Sequence, residues 1–230
     1  KKKNLIKIFL MSSNLNKMKD ENIKITDCKL TLLGDSGVGK SSIIGRYISG
    51  VFMKGAISTT GANYSQKVVE KDNSKVRLNI WDTAGQEKYR SLGRNFYKDA
   101  IIICLVYDIT VKDSFISLKE NWYPEIKKYG ERFTILAVVG NKSDRIEDEN
   151  ISEKEANDYA KEIGAHCFMV SAFTGDGIDE MFCELANEFL SPEHASQRDE
   201  IECSRSNTIT IRKSDLNKQK AKSNNCCASD

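Results

Sequence analysis

The sequence GDSGVGKS at residues 34–41 constrains this chain more than any other segment. It fits the pattern G-x-x-x-x-G-K-[ST], whose glycines let successive backbone N–H groups turn toward one phosphate group. The pattern requires a strand before it and a helix after it. Residues 28–33 form a short apolar run, and residues 42–48 carry apolar side chains at helical spacing. We therefore predict a phosphate-binding loop at the start of a helix, with Lys40 reaching the outer phosphates and Ser41 binding Mg²⁺.

Apolar strands and amphipathic helices alternate along the next part of the chain. Continuous apolar runs are typical of strands that are covered on both faces in a parallel sheet. Two strands around a polar turn at residues 71–74 predict one antiparallel hairpin. We therefore predict an α/β fold with a six-stranded, mostly parallel sheet, helices on both faces and ligands at the carboxyl ends of the strands. The predicted strands are residues 28–33, 62–70, 76–81, 100–107, 133–139 and 166–170, and the later helices are residues 111–130, 152–164 and 178–190.

Two of these helices begin with capping signals. Ser152, with Glu155 three residues later, matches a capping box. Asp113 or Ser114 is predicted to cap the helix at residues 111–130. We expect each cap to satisfy backbone N–H groups that the first helical turn leaves unbonded.

The length and composition of the chain predict its domain organisation. With 230 residues, of which 40% are hydrophobic, the chain is long enough for one well-buried domain and additional tails. We predict a disordered leader at residues 1–27, one domain at residues 28–190 and a flexible tail at residues 191–230. Pro192 is expected to stop the last helix. The leader lacks a clear cleavage site, so we interpret it as a solvated arm rather than a signal peptide.

Charge and cysteine usage argue against several classes of protein. The net charge of +2 and the spread of basic residues along the chain argue against a nucleic-acid-binding surface. The seven cysteines include no CxxC pair and no ligand-like spacing with histidine, which argues against a zinc site or a disulfide framework. Four of them are predicted to fill the core of a reduced, cytosolic protein, namely Cys28, Cys104, Cys167 and Cys183.

The sequence NKSD, which begins at Asn141, indicates which base the site takes. Asp144 offers a carboxylate to the paired N–H donors of guanine, a pair that adenine lacks. We expect Asn141 to tie this loop to the phosphate loop, Lys142 to lay its methylene groups over the base, and the backbone at Ala172 to meet the base oxygen. In isolation, NKSD would equally suit a polar surface turn. Here it follows the phosphate loop and the sequence DTAGQE that begins at Asp82, which favours a guanine nucleotide.

Taken together, these motifs resemble the Ras superfamily of small GTPases, and most closely its Rab branch. The resemblance covers residues 29–190 and rests on the sequences GDSGVGKS, WDTAGQEKYRSL, FYKDA, VYDIT and GNKSD and on the SA pair at Ser171. It implies a P-loop NTPase fold. It also implies a switch that cycles between GTP and GDP, hydrolyses GTP slowly with Mg²⁺ and regulates vesicular membrane traffic.

The resemblance also assigns roles to individual residues. Ser41 and Thr59 would hold Mg²⁺, and Asp82 would support the metal through a water molecule. Gly85 would sense the γ-phosphate through its backbone N–H, and Gln86 would orient the attacking water. The predicted catalytic set is Gln86, Lys40 and Gly85, and the predicted nucleotide contacts are Asp35, Ser36, Gly37, Val38, Gly39, Lys40, Ser41, Ser42, Thr59, Asp82, Gly85, Asn141, Lys142, Asp144, Ser171, Ala172 and Phe173.

Several positions depart from the Rab pattern. Thr60, Asn63 and Tyr64 replace the usual Ile, acidic and Phe residues of the first switch and the strand after it. Phe173 replaces the usual Lys after Ser-Ala, where it would either stack on the base or fill the loop. These changes bear on effector choice rather than on the nucleotide. The positions that resemble the aromatic triad for effector recognition in Rabs are Tyr64, Trp81 and Tyr97.

The end of the tail resembles the paired cysteines of Rabs, which predicts double geranylgeranylation of Cys226 and Cys227. Cys227 also stands at CaaX spacing, although the residues after it fit that signal poorly. Two lipid chains give stable anchoring, and the basic residues between Arg212 and Lys222 add attraction to anionic lipid. We expect the protein on the cytoplasmic face of an intracellular membrane, with a cytosolic pool. The sequences SSII and VYDIT look somewhat like those of endosomal Rabs.

The resemblance implies partners and leaves alternatives open. The implied partners of a monomeric protein are an exchange factor, a GTPase-activating protein, a prenylation escort, a GDP-dissociation inhibitor and effectors. The altered first switch would also suit a GTP-bound scaffold that hardly cycles. The phosphate loop alone would suit a P-loop kinase or ATPase. A Ras- or Rho-type signalling role is disfavoured by the WDTAGQE and FYKDA sequences and by the paired cysteines.

Overall fold

One sheet forms the centre of the structure, a computed structural model that describes residues 25–52, 59, 63–71, 74–83, 97–130 and 134–194. Its strands in the described residues are β1 (Ile25–Leu33), β2 (Asn63–Lys71), β3 (Ser74–Asp82), β4 (Ile102–Asp108), β5 (Ile135–Asn141) and β6 (His166–Val170). They lie in the order β2-β3-β1-β4-β5-β6. β2 runs antiparallel to β3, and the other neighbouring pairs are parallel. The predicted fold class, with one antiparallel strand, is confirmed.

The described helices are α1 (Lys40–Ser49), α2 (Lys112–Ser117), α3 (Tyr123–Tyr129), α4 (Glu153–Ile163) and α5 (Ile178–Leu190). A π-helical turn at Leu118–Trp122 joins α2 to α3, and a 3₁₀ segment occupies Ser143–Asp148. The prediction of one continuous helix at residues 111–130 is therefore wrong in detail. The apolar spacing there indicated a helix, but it did not indicate that the hydrogen-bond pattern changes within it.

The capping predictions have different outcomes. At α4, the Glu155 N–H donates to the Ser152 hydroxyl at 3.2 Å, which confirms that cap. At α2, Val111 occupies the N-cap position and no side chain caps the helix, so the predicted cap is wrong. Ser114 lies within the first turn, where its hydroxyl donates to the Val111 carbonyl at 2.6 Å and accepts the Asp108 N–H at 3.1 Å. The hydroxyl thus fastens α2 to the end of β4.

Several strand limits differ from the predicted ones because pairing with neighbours extends or shifts them. β1 begins at Ile25 rather than at residue 28, because Ile25 already pairs with Lys75 of β3. The hydrogen bonds between the strands join backbone groups, so polar residues can belong to the strand as well. β5 begins at Ile135, which pairs with Ile102 of β4, rather than at residue 133. β6 and α5 have the predicted limits.

The core lies against β4, whose seven residues are all buried. Cys28 and Cys104 are fully buried, as predicted for core cysteines. Cys167 is only partly buried, and Cys183 is exposed, so the core prediction is wrong for Cys183. The reason is its position on α5, where the buried face is formed by other residues, namely Ile178, Met181, Phe182, Leu185, Ala186 and Phe189.

Within the described residues, one compact unit extends to Phe189, and residues 190–194 fall outside it. The predicted leader lies outside the described residues except for residues 25–27, and the tail lies outside them from residue 195 onward. Those two assignments stay predictions. None of the described helices combines the length and apolar character needed to cross a bilayer.

Candidate functional site

The phosphate loop joins the end of β1 to the start of α1 and lies directly against two strands. Gly34 and Gly39 have φ values of +142° and +99°, which L side chains rarely adopt. A Cβ at Gly34 would lie 2.1 Å from the Val106 carbonyl oxygen, and a Cβ at Gly39 would lie 2.2 Å from Asn141 Nδ2. Glycine at these two positions therefore allows the loop to approach the ends of β4 and β5.

Lys40 begins α1 and directs its ammonium back into this loop. Its Nζ donates to the carbonyl oxygens of Gly34 at 2.7 Å and Asp35 at 2.8 Å. Burial lowers the pKa of Lys40 to about 8, while the carboxylates of Asp82 and Asp35 act in the opposite direction. An ammonium that is buried and bonded only to neutral carbonyls here is well suited to bind a phosphate oxygen.

The rest of the predicted phosphate contacts differ in exposure. Val38 is buried, Ser36 and Gly37 are exposed, and Ser42 is partly buried in the first turn of α1. The exposed pair lies at the part of the loop that an incoming group can reach. The start of α1 adds its partial positive charge to the same place.

Three oxygen-bearing side chains form a candidate metal site beside Lys40. The hydroxyl oxygens of Ser41 and Thr59 lie 2.8 Å apart. Asp82, at the end of β3, is buried, and its Oδ1 has no hydrogen-bond partner in the described part of the chain. Burial raises the pKa of Asp82, while the nearby Ser41 hydroxyl and the Lys40 ammonium act in the opposite direction. Hard oxygen ligands and a buried carboxylate oxygen without a partner fit Mg²⁺ with bound water.

A neighbouring residue holds Asp82 in position. The hydroxyl of Thr83 donates to the Leu32 carbonyl at 2.7 Å, and both residues are buried. This bond ties the end of β3 to the end of β1. As a result, the carboxylate of Asp82 and the phosphate loop emerge from the sheet side by side.

Asn141 connects the phosphate loop with the predicted base-binding loops. Its Nδ2 donates to the Val38 carbonyl at 2.8 Å, and its Oδ1 accepts the Ala172 N–H at 3.2 Å. The predicted tie between NKSD and the phosphate loop is therefore present. The Ala172 N–H, which we expected to meet the base oxygen, is bonded to Asn141 in this structure.

Asp144 and Lys142 are each held by a partner at the same edge of the sheet. The Ser171 hydroxyl donates to Asp144 Oδ1 at 2.6 Å, and the Thr174 N–H donates to that hydroxyl at 3.1 Å. Lys142 forms an ion pair with Asp108, whose other carboxylate oxygen accepts from nearby Thr110. Ser171 and Asp108 thus hold these two residues of the NKSD sequence in place.

Sequence reasoning assigned no role to Arg46 and overlooked Asp108. Arg46, in α1, donates from Nε to the Ala172 carbonyl at 2.9 Å, from Nη1 to the Gly50 carbonyl at 2.8 Å and from Nη2 to the Phe173 carbonyl. A basic residue in the last turn of a helix was a usable signal for such carbonyl contacts. For Asp108, the signal was a carboxylate at the end of an apolar strand, the same signal that identified Asp82.

Phe173 lies next to a second aromatic residue that the sequence reasoning did not single out. Its ring meets the ring of Phe52 edge to face, with centroids 5.4 Å apart. Phe173 is 50% exposed, so the pair is available at the surface beside Ala172.

Some predicted site residues lie outside the described part of the chain. These are Gly85, Gln86, Thr60, Cys226 and Cys227.

Within the aromatic triad, the residues differ in exposure. Tyr64 is exposed and meets Trp81 with ring centroids 5.3 Å apart. Tyr97 is buried and donates its hydroxyl to Glu125 at 3.0 Å.

Comparison with known proteins agrees with this geometry. The sequence model of the Ras family matches residues 29–191. The Ras-related protein Rab-26 of Mus musculus is 42% identical over 161 residues, which are 70% of this chain and 62% of that protein. The Ras-related protein Rab5A of Oryza sativa subsp. japonica is 39% identical over 172 residues, which are 75% of this chain and 84% of that protein. The Ras-related protein Rab-30 of Homo sapiens is 37% identical over 163 residues, which are 71% of this chain and 80% of that protein.

The chain spans about 62% of the length of the mouse and rat Rab-26 proteins that it matches. The family match nevertheless includes the phosphate loop, the strand end at Asp82, the NKSD sequence and the loop at Ser171. The chain therefore belongs to the Ras family of small GTPases, in its Rab branch.

Proposed function

We propose that this protein binds GTP and GDP with Mg²⁺, hydrolyses GTP slowly and acts as a Rab-type switch in vesicular membrane traffic. The observation that carries the proposal is the pair of hydrogen bonds made by the side chain of Asn141. Through one side chain, Asn141 joins the phosphate loop to the loop of Ala172, while Asp144 follows three residues later. These bonds support a single site at one edge of the sheet in which phosphate, metal and base would be bound, in a member of the Rab branch.

The residues of the site divide the binding work among them. Lys40 and the backbone N–H groups of the loop would hold the phosphates, and Asp144 would accept the two N–H groups of guanine. Ser41, Thr59 and Asp82 would hold Mg²⁺, which when bound neutralises charge on the β- and γ-phosphates. Ser171 would keep the carboxylate of Asp144 aimed at the base.

Catalysis on this scaffold consists mainly of positioning and charge neutralisation. Gln86 would orient the attacking water, and the Gly85 N–H would bond the γ-phosphate. Arg46 donates from its three side-chain nitrogens to the carbonyl oxygens of Ala172, Gly50 and Phe173, and we assign it no catalytic role. We therefore expect an intrinsic rate on the order of 10⁻⁴ to 10⁻³ s⁻¹ and stimulation by about 10³ to 10⁵ from an arginine that an activating protein inserts.

The switch itself would depend on Thr59. Its hydroxyl oxygen lies 2.8 Å from that of Ser41, which supports a contact between the first switch and the proposed metal site. Loss of the γ-phosphate would weaken that contact and the contact at Gly85. The loop that carries Thr59 and the loop that carries Gly85 would then relax. Effectors that bind only the ordered loops would then distinguish GTP from GDP.

The proposed partners follow from the Rab branch. They are an exchange factor, a GTPase-activating protein, a prenylation escort, a GDP-dissociation inhibitor and effectors, all acting on a monomer. Prenylation of Cys226 and Cys227 would place the protein on the cytoplasmic face of an intracellular membrane, with a cytosolic pool. An endosomal membrane is the compartment that the SSII and VYDIT sequences favour.

Single-turnover GTP hydrolysis, with and without cell extract, tests the proposal. We expect slow phosphate release that extract accelerates. No release in either condition would instead support a scaffold that hardly cycles. In parallel, excess ATP should fail to displace labelled GTP, and effective displacement would contradict the guanine assignment.

A further inference from the structure

The two halves of the phosphate loop are held by different parts of the molecule. In the second half, the Val38 carbonyl accepts from Asn141, as described above. In the first half, Asp35 Oδ1 accepts from the Ser117 hydroxyl and from Trp122 Nε1, both at 2.8 Å. The first half is therefore attached to the last residue of α2 and to the last residue of the π-helical turn.

The π-helical turn explains how both donors reach one oxygen. Ser117 and Trp122 are five positions apart, which would place them about 140° apart around a regular α-helix. In this turn the Tyr123 N–H bonds the Leu118 carbonyl, five residues earlier, so the chain is wound more loosely. Trp122 is buried at 4% exposure, and Ser117 is partly buried. π-helical turns are rare and are frequent at functional sites.

Asp35 also bonds Lys40, so it links Ser117 and Trp122 to the ammonium group. Its carboxylate bonds Ser117 and Trp122, while its carbonyl oxygen accepts from Lys40 Nζ at 2.8 Å. The next residues of the loop, Ser36 and Gly37, are exposed. Asp35 is thus the point at which the first half of the loop and the phosphate-binding ammonium are both held.

We propose that Ser117 and Trp122 are positioning residues for GTP hydrolysis, and that they act through Asp35 on the first half of the phosphate loop and on Lys40. The proposal rests on the GTPase function proposed above. Asn141 holds the second half of the loop independently of this path, through its bond to the Val38 carbonyl. Loss of the attachment should therefore slow hydrolysis more than it weakens nucleotide binding, because small displacements of positioned groups are costly to the rate.

The first test removes each donor while preserving side-chain volume as far as possible. Trp122→Phe removes Nε1–H, Ser117→Ala removes the hydroxyl, and Tyr123→Phe serves as a matched control on the adjacent residue. We expect each donor variant to lower single-turnover GTP hydrolysis by about 10-fold, with GDP dissociation changed by less than about 3-fold. The control should match the parent chain. Unchanged hydrolysis in Trp122→Phe, or equal changes in hydrolysis and GDP dissociation, would overturn the proposal.

A double-mutant cycle tests whether the effect passes through Asp35. Trp122→Phe is introduced into the parent chain and into Asp35→Ala, and hydrolysis is measured in all four proteins. If Trp122 acts through Asp35, its substitution should have no further effect in the Asp35→Ala background. An equal effect in both backgrounds would mean that Trp122 only stabilises the fold, and the proposal would be wrong. Asp35→Asn keeps an acceptor oxygen and should retain more hydrolysis than Asp35→Ala.

A readout independent of activity uses the two indole N–H groups, since the sequence contains two tryptophans. In ¹⁵N–¹H spectra of the GDP-bound protein, Asp35→Ala should shift the indole signal that Trp122→Phe removes. An unmoved signal would contradict the bond on which the proposal depends. Hydrolysis by the parent chain separates the two levels of inference. No hydrolysis there would refute the proposed function, whereas normal hydrolysis without coupling would refute only the roles of Ser117 and Trp122.

Discussion

Burial prepares individual side chains of this site for charged ligands. Lys40 and Asp82 are both buried and both have pKa values shifted toward the neutral form by loss of solvent. The cost of burying such groups is recovered when a phosphate or a cation supplies the opposite charge. Asp144 differs from them, because it is exposed and already accepts a hydrogen bond from Ser171. We propose that Asp144 contributes selectivity for the base.

A substitution at Asp144 tests that selectivity. Asp144→Asn replaces a two-oxygen acceptor with a group that also donates, so the paired N–H groups of guanine lose one acceptor. We expect GTP affinity to fall by at least about 100-fold, and affinity for xanthosine triphosphate, which has a carbonyl in place of the amino group, to rise. Competition against labelled GDP measures both. Retained preference for GTP over xanthosine triphosphate would show that Asp144 does not meet the base.

The cysteines provide a prediction about pH. Burial raises the pKa of Cys104 to about 12 and, together with the nearby Glu153 carboxylate, that of Cys167 to about 11. At pH 8, only about 1 in 1,000 Cys167 thiols should be ionised. We therefore expect iodoacetamide to label exposed Cys183 fastest, Cys167 more slowly and Cys104 only after unfolding, as mapped by mass spectrometry. Rapid labelling of Cys104 in the folded chain would contradict its burial.

The same shifts set the sign of a stability effect. Because the folded pKa of Cys104 lies above the ordinary value of 9.0 for a thiol, the unfolded chain binds fewer protons than the folded chain between about pH 9 and pH 12. The contribution of this thiol to stability should therefore decrease as the pH rises through that window.

Among the elements, α1 brings together contacts to all parts of the proposed site. Its first turn supplies Lys40 and Ser41, and a later turn supplies Arg46. Arg46 bonds the carbonyl groups of Ala172 and Phe173, and also that of Gly50 at the end of its own helix. One helix thus connects the phosphate loop with the loop of Ala172.

This arrangement predicts that Arg46 slows the dissociation of GDP. Arg46→Ala should release the loop of Ala172 and speed GDP dissociation by about 10-fold, the equivalent of roughly 1.4 kcal/mol. Arg46→Lys should resemble Arg46→Ala, because a single ammonium cannot reproduce the planar fork. Stopped-flow release of a fluorescent GDP analogue measures the rate. Arg77→Ala, which removes an arginine from an exposed ion pair with Asp27, is the control. Equal release from all these proteins would rule out the proposed role.

At the scale of the whole molecule, the parallel strands bring distant segments to one edge of the sheet. The phosphate loop follows β1, and the loop of Ser171 follows β6. Three of the other strands end at residues of the site, β3 at Asp82, β4 at Asp108 and β5 at Asn141. Their carboxyl ends meet because these strands run in the same direction. A ligand at this edge should therefore stabilise the compact unit as a whole.

Removal of Mg²⁺ tests that coupling. A ligand present at 100 times its dissociation constant adds about 2.7 kcal/mol to folding stability. We expect the GDP-bound protein to unfold at a lower temperature after EDTA treatment, because Asp82 is then left buried without a cation. Differential scanning calorimetry with and without EDTA gives the difference. Asp82→Asn should show a smaller difference, and an unfolding temperature that does not respond to Mg²⁺ in the parent chain would contradict the metal site.

The sequence alone indicated most of the fold and the nature of the site, because the relevant signals act over a few residues. A glycine loop before a helix, buried apolar strands and a capping box at Ser152 can be recognised locally. For the same reason, the limits of β6 and α5 and the tie between Asn141 and the phosphate loop agree with expectation.

Other features were decided only by contacts between residues that are distant in the chain. The start of β1 depends on its pairing with β3, and the exposure of Cys183 depends on which face of α5 meets the sheet. The π-helical turn, the bonds from Ser117 and Trp122 to Asp35, and the bonds from Arg46 to the base loop also belong to this group. A sequence motif specifies which ligand groups are present, but packing across the sheet decides which other residues hold them in place.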